Sequence, residues 1–532
     1  VAKKPKESSK KIAKIRIDML SSRIEALEDE FDLTANTLIA RKRASTGVLA
    51  LDLQWGGGMV PGMYTIAGIE RSGKSTIITQ IFGEMVREKL AVCNMRDAEG
   101  TVGVDIDYTR ALLGGDLDVG ELISGNSVKK SSKDEQKKLQ EMTRPRIHVE
   151  ANIEETYEYF RAVLDLLPDK IYSKKDGCWM FKAPNTKLGQ EQMAILGPDA
   201  PIEKRKKKSG GDYLYAPTED GLIGFIAIDS YPALIPTAVD EEGKRSKRMG
   251  QEASAFANSL PLVVEKLVKK GFAILGANQL RENPGDQYNP WREPGGNALK
   301  QFSQVRDWIS AISPSTIKTT PALWEKGEYP WQALCMEKSV EDIGPNDDPK
   351  SKGNDYYQFS QLSNKKNKTA TPLGRAEIRI WTRDRYGKGR GIDPVFDVWF
   401  YLSEMQLATV HAKRITCEEL FGDKKPHWLD FKKIIISEVY GTDKEHEEAW
   451  KRLKMKPRKI REWCFADLRR RTNADPEMVE KDMMQAANEA DLKKKEKASV
   501  APNTPKPGKD RAADKTNGNE PGKKMKKVKK KK

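Results

Sequence analysis

The nine residues GIERSGKST at 68–76 constrain this chain more than any other stretch. Gly68, Gly73, Lys74 and Ser75 fit the spacing G-x-x-x-x-G-K-[ST]. Such a loop needs an apolar strand entering it and a helix leaving it, because backbone N–H groups there must converge on phosphate oxygens. Both flanks are present. MYTIAGI (63–69) is a short apolar run, and STIITQIFGEMVREK (75–89) carries Ile77/Ile78, Ile81/Phe82 and Met85/Val86 at helical spacing. The pattern predicts a nucleoside triphosphate site. Glu70, Arg71, Ser72 and Thr76 complete the loop, Lys74 reaches the β- and γ-phosphates, and the Ser75 hydroxyl ligates Mg²⁺.

The same rhythm continues downstream. LAVCNMRDAE (90–99), LIGFIAIDS (222–230) and GFAILGANQ (271–279) are apolar runs bounded by glycine or charge, and SAFANSLPLVVEKLVKK (254–270) is a helix between the last two, with Pro261 as a candidate kink. Strands alternating with helices predict an α/β fold with a mostly parallel, doubly wound sheet. In such sheets ligands sit beyond the carboxyl ends of the strands. Three runs end there in polar side chains: Glu99, Asp229 and Gln279. Asp229 suits Mg²⁺, Glu99 suits orienting or deprotonating the attacking water, and Gln279 suits a hydrogen bond to the γ-phosphate.

Composition sets the outer limits. The chain has 532 residues, 38% hydrophobic and 32% charged, enough for several domains with long solvated segments. No run of 18 apolar residues suggests a membrane span, and the basic N-terminus lacks the apolar core of a secretory signal. Five dispersed cysteines without a C-x-x-C spacing predict reduced thiols in a cytosolic setting, without structural zinc. The formal charge of +16 is concentrated at the ends, where residues 491–532 carry +11 and residues 1–16 carry +6. Basic ends favour a polyanion, most simply nucleic acid. Residues 17–32 space Ile17, Leu20, Ile24, Leu27 and Phe31 as an amphipathic helix. Residues 170–221 and 315–355 look like irregular surface insertions, 410–490 like a small helical domain, and 491–532 like a disordered basic tail. The expected division is 1–44, 45–409, 410–490 and 491–532.

Over roughly 45–410 the chain resembles RecA-type recombinases, including phage versions. The resemblance rests on STGVLALDLQWGGGMVPG ahead of the loop, DAEG, IDSYPALIP, ANQLREN and GGNALK, in that order. It implies a RecA-like P-loop ATPase core that forms a helical homo-filament on single-stranded DNA and pairs it with double-stranded DNA. It implies that Glu99 activates water and Gln279 couples the γ-phosphate to a DNA-binding loop. Asp105 and Tyr108 in VDIDYTRALLG match residues flanking adenine. Lys366 and Lys368 in NKKNKTATPLGRAEI match two lysines that reach the adjacent subunit's nucleotide. Two loops are assigned to DNA. The first, 236–250, holds Arg245, Lys247, Arg248 and Met249; the second, 280–296, holds Arg281, Tyr288, Trp291 and Arg292. Arginine and lysine suit phosphates, and the aromatics suit bases. The N-terminal helix matches the family's polymerisation helix, which makes a heterologous, propagating contact. The implied location is the bacterial cytoplasm or nucleoid, including a phage-encoded origin. Two alternatives stay open: a ring helicase on the same core, and an ATP-binding recombination mediator or paralogue.

Overall fold

The computed structural model describes residues 42–88, 90, 92–101, 106–113, 122, 146–149, 152–173, 176–194, 200–206, 211–237, 250–283, 288, 290–312, 357–370, 374–381, 391–411, 414–440 and 443–472. The expected helix at 17–32, Asp105, the stretch 315–355, the cluster Arg245, Lys247, Arg248 and Met249, and the basic tail lie outside the described residues.

The strands run in chain order as follows. β1 (Gly62–Gly68), β2 (Val92–Asp97) and β3 (Arg146–His148) open the central sheet. β4 (Asp169–Ser173), β5 (Cys178–Pro184), β6 (Glu203–Lys206) and β7 (Asp212–Pro217) form a separate sheet. β8 (Gly224–Asp229) and β9 (Phe272–Gln279) return to the centre. A two-stranded ribbon, β10 (Arg281–Glu282) and β11 (Trp291–Arg292), precedes β12 (Val305–Ile312), β13 (Tyr357–Asn367), β14 (Arg375–Trp381) and β15 (Gly391–Ile392). A last pair, β16 (Thr409–His411) and β17 (Arg414–Thr416), lies near the C-terminal helices.

The central sheet has nine strands in the order β15-β14-β13-β12-β1-β9-β8-β2-β3. From β12 to β3 the pairings are parallel, and β13, β14 and β15 add on antiparallel. All seven residues of β1 are buried, as expected of a strand covered on both faces. Alternate residues explain the two covers. Tyr64 and Ile66 join one apolar cluster with Ile77, Ile78, Ile81 and Phe82 of the helix Lys74–Arg87. Met63 joins a second with Phe160 of the helix Ile153–Asp165 and Leu260 of the helix Gln251–Lys270. Burying each such Ile, Leu or Phe contributes roughly 1.5–3 kcal/mol, so both covers are needed. Pro261 sits inside the helix Gln251–Lys270.

One region differs from the pattern read in the sequence. Residues 169–217 contain an antiparallel sheet, β4-β5-β7-β6, rather than irregular chain. Phe181 pairs Ala216 and Ala183 pairs Leu214, so these four side chains share one face. With Met193 of the helix Lys187–Ala194 they make a small core of their own. The helices Pro394–Glu404, Trp428–Tyr440 and Ile460–Arg471 contribute Trp399, Phe431 and Leu468 to the same apolar cluster as Ile66 of β1. Asp397 accepts hydrogen bonds from the backbone N–H of Leu49 (2.8 Å) and Ala50 (3.0 Å), tying this helical region to the segment that precedes the loop.

Candidate nucleotide and nucleic-acid site

The glycine loop leaves β1 at Gly68 and ends at Gly73, which caps the helix Lys74–Arg87 with φ +96°. A side chain at Gly73 would place its Cβ 2.3 Å from Ile380 Cδ1, and one at Gly68 would meet Ile309 O at 2.5 Å. Close approach therefore requires both glycines, and at Gly73 the backbone geometry requires one as well. Glu70, Arg71 and Ser75 are exposed, while Ser72 and Thr76 are buried. Ser360 of β13 donates to Ser72 O at 3.0 Å and fastens the loop to the antiparallel half of the sheet.

Lys74 folds back over the loop. Its Nζ donates to Ile69 O at 2.6 Å and reaches Ser72 Oγ at 3.5 Å. Burial lowers its pKa, and the carboxylates of Asp229, Glu99 and Glu70 oppose that change. The ammonium thus lies over the loop and faces an acidic rim.

That rim is built from strand ends. Asp97 closes β2 and lies directly opposite Asp229, which closes β8. The Asp229 carboxyl is raised to about 6, chiefly by burial, with the charges of Glu99 and Asp97 adding to the rise and a hydrogen bond from Ser75 and the Lys74 charge opposing it. Its Oδ2 is buried and has no hydrogen-bond partner among the described residues. An orphaned carboxylate oxygen beside a loop hydroxyl fits a Mg²⁺ ion, which Asp229 and Ser75 would hold. No group of three or more His, Cys, Asp or Glu side chains able to hold a metal occurs among the described residues. Glu99 lies two residues past the end of β2, in a turn rather than on the strand. Its Oε1 accepts from Ser230 Oγ at 2.6 Å. Asp97 and Ser230 do not stand out in the sequence. Asp97 belongs to the same DAE triplet as Glu99, and Ser230 directly follows Asp229.

Gln279 closes β9 in register with Gly68, and the next backbone N–H, of Leu280, donates to Gly68 O at 2.9 Å. The ribbon begins one residue later. Arg281 and Arg292 are directly opposite across it, and both are exposed. Like charges in cross-strand pairs are destabilising, so this pair suits an anionic partner. Trp291 is half-buried and Tyr288 is 96% exposed.

Lys366 and Lys368 lie far from the chain's own loop. Lys366 is opposite Arg306, which is opposite Thr65, and the Lys368 N–H bonds Gln304, whose N–H bonds Met63 O. Met63 is five residues before Gly68, or about 17 Å at strand rise. The Lys366 Nζ donates to Lys300 O (2.8 Å) and Gln301 O (2.9 Å) at the end of the helix Gly296–Phe302. Burial lowers its pKa, and the neighbouring cations Lys368 and Arg306 lower it further. Tyr108 lies on the helix Ile106–Leu113. No helix among the described residues is long and apolar enough to cross a membrane.

No family model matches the chain. Among curated proteins, it is similar to the RecA protein of Thermus aquaticus, at 29% identity over 180 residues. That alignment covers 34% of this chain and 41% of the relative, so the match spans about two fifths of that protein's length. The RecA protein of Cytophaga hutchinsonii is 38% identical over 87 residues, covering 16% of this chain and 24% of the relative. The RecA protein of Clostridium novyi is 37% identical over 87 residues, covering 16% and 25%. With the phosphate loop, the acidic strand ends and the parallel sheet order, these RecA-named relatives support a RecA-like family for this chain.

Proposed function

We propose that the chain is the subunit of an ATP-dependent DNA recombinase that assembles as a filament on single-stranded DNA and pairs it with a homologous duplex. The observation that carries this reading is the join at Gln279. One strand end is in register with the phosphate loop at Gly68 and leads two residues later into a ribbon with two facing arginines. Nucleotide state and nucleic-acid contact then share a single backbone segment.

In this reading Lys74 holds the β- and γ-phosphates, and Ser75 and Asp229 hold Mg²⁺, which when bound neutralises phosphate charge. Asp105 and Tyr108 flank the adenine. Glu99, oriented by Ser230, takes a proton from the attacking water as the bond between the γ-phosphorus and the bridging oxygen breaks. Gln279 hydrogen-bonds the γ-phosphate. Lys366 and Lys368, too distant from their own loop, serve the nucleotide of the adjacent subunit. Arg281 and Arg292 contact phosphates and Trp291 and Tyr288 contact bases, with Arg245, Lys247, Arg248 and Met249 forming the second contact loop. The N-terminal helix joins subunits, and the basic tail recruits duplex DNA.

The test is strand exchange between single-stranded circles and linear duplexes, with ATP and Mg²⁺. Joint molecules should form with homologous duplex only. Equal products with heterologous duplex, or closed rings in electron micrographs of the protein on DNA, would reject the reading.

A further inference from the structure

The second loop returns to the sheet at Glu293 and Pro294, and two independent connections meet there. Pro294 O accepts a hydrogen bond from Asn278 Nδ2 at 3.3 Å, and Asn278 is the neighbour of Gln279. Glu293 belongs to the other connection. Its side chain is only 3% exposed, and one oxygen, Oε1, accepts from both Arg306 Nη2 and Trp308 Nε1 at 2.5 Å. A buried carboxylate gripped by two donors is held in one geometry, and removing its charge leaves Arg306 uncompensated.

Arg306 and Trp308 are on β12, and the strand beside it is the one that carries the lysines. Arg306 pairs with Lys366, and Trp308 pairs with Ser363, two residues from Lys365. The Lys365 ammonium stands 4.6 Å from the centre of the Trp308 ring. Lys366 in turn caps the helix Gly296–Phe302, which begins two residues after Pro294. The ladder shifts register between Arg306 and Asp307, beside this contact. Every group on the path is in direct contact with the next, from the lysine strand through Arg306 and Trp308 to Glu293.

We propose that Glu293 is a positioning residue. Through Arg306 and Trp308 it ties the lysine strand to the base of the 280–296 loop, so the adjacent subunit's nucleotide site sets that loop's hold on single-stranded DNA. The inference rests on the filament reading above. It adds that the loop reports on two nucleotides, its own through Asn278 and Gln279 and the neighbour's through Glu293. Glu293 itself touches neither nucleotide nor DNA.

The test measures the affinity of the full-length protein for a fluorescein-labelled oligo(dT), once saturated with Mg²⁺ and a slowly hydrolysed ATP analogue and once with Mg²⁺ and ADP. The ratio of the two affinities is the coupling, which for linked sites is typically ~5–150-fold. Glu293→Gln keeps the size and an acceptor oxygen but removes the charge. It should lower the ratio by about threefold or more without abolishing it, because the route through Asn278 and Gln279 remains, while DNA-free ATPase is unchanged. Arg306→Gln should do the same, and the double variant should be no worse than either single, because both break one link. Trp308→Phe keeps an aromatic face but removes the N–H donor together with the pyrrole ring, and it covers the case in which Glu293→Gln fails to fold. A folded variant that melts earlier but keeps the wild-type ratio would overturn the proposal and make Glu293 a scaffold residue. Additive losses in the double variant would overturn it too. A wild-type ratio of one would instead reject the filament reading, and this inference with it.

Discussion

Asp229→Asn should make the nucleotide-free protein more stable at pH 8 and less able to gain from nucleotide. The Asp229 carboxyl is raised from 3.8 to about 6, chiefly by burial, with Glu99 and Asp97 adding repulsion. A carboxyl whose pKa is raised on folding favours the folded state fully below its unfolded value of 3.8. That favour is lost as pH rises through about 6. Above that pH the folded chain carries an ionised group that the unfolded chain would hold more easily. The rise to about 6 costs the folded state roughly 3 kcal/mol at pH 8, roughly half that at pH 5 and almost nothing by about pH 3. Asparagine removes the charge and keeps an oxygen for Ser75. Its advantage over the wild type should therefore grow between pH 5 and pH 8 in urea unfolding of the nucleotide-free protein. With Mg²⁺ and ATP the order should invert, since Asp229 then has the cation it fits and the variant does not. A change of equal size at both pH values would refute the reasoning, because Asp229 would then contribute shape and a hydrogen bond rather than an unneutralised charge.

Other outcomes are expected on the same footing. Lys74→Ala should abolish ATP binding, whereas Glu99→Gln should bind ATP and lose turnover; equal loss of affinity in both would count against these roles. A Lys366→Ala/Lys368→Ala variant mixed with Lys74→Ala should recover part of the DNA-stimulated ATPase, because interfaces of one orientation combine an intact loop with intact lysines; no recovery at any ratio would make the lysines structural. Truncation after residue 490 removes a +11 segment. If a third of its basic residues engage, the log–log salt slope for duplex binding should flatten by roughly 4–5, read by titration at several salt concentrations. An unchanged slope would leave the tail a solubiliser or a targeting signal.

What the sequence revealed about this site follows the reach of each interaction. The loop, the strand before it and the helix after it were legible because Met63–Ile69 and Ile77–Met85 carry their periodicity locally. Asp229 and Gln279 were legible as polar residues closing apolar runs. The end of β2 was not: two carboxylates stand close together, and only pairing with Asp229 marks Asp97 as the strand's last residue. The sheet inside 169–217 was hidden because lysine, glycine and proline in that stretch mask an alternation of Phe181, Ala183, Leu214 and Ala216 visible only once the strands pair. The distance of Lys366 from its own loop, and the grip of Arg306 on Glu293, depend on which strands are neighbours, and no local pattern encodes that.

The neighbours of β1 have a consequence for how the chain is made. β1 pairs with β9, whose residues are about 210 positions later, and with β12, later still. At roughly 5–20 residues per second of synthesis, β1 waits about 10–40 s for its first partner. During that time a fully buried strand lacks both of its sheet neighbours, with only nearby segments such as Trp55 to pack against. The inserted sheet is the opposite case, since all four of its strands are within Asp169–Pro217 and can pair as they emerge. Slowing translation after β9 should therefore do little for yield, whereas a holding chaperone that shields the nascent segment 62–87 should raise it. The glycine loop is made early in the chain, yet its sheet neighbours, β9 and β12, come among the later strands of the central sheet.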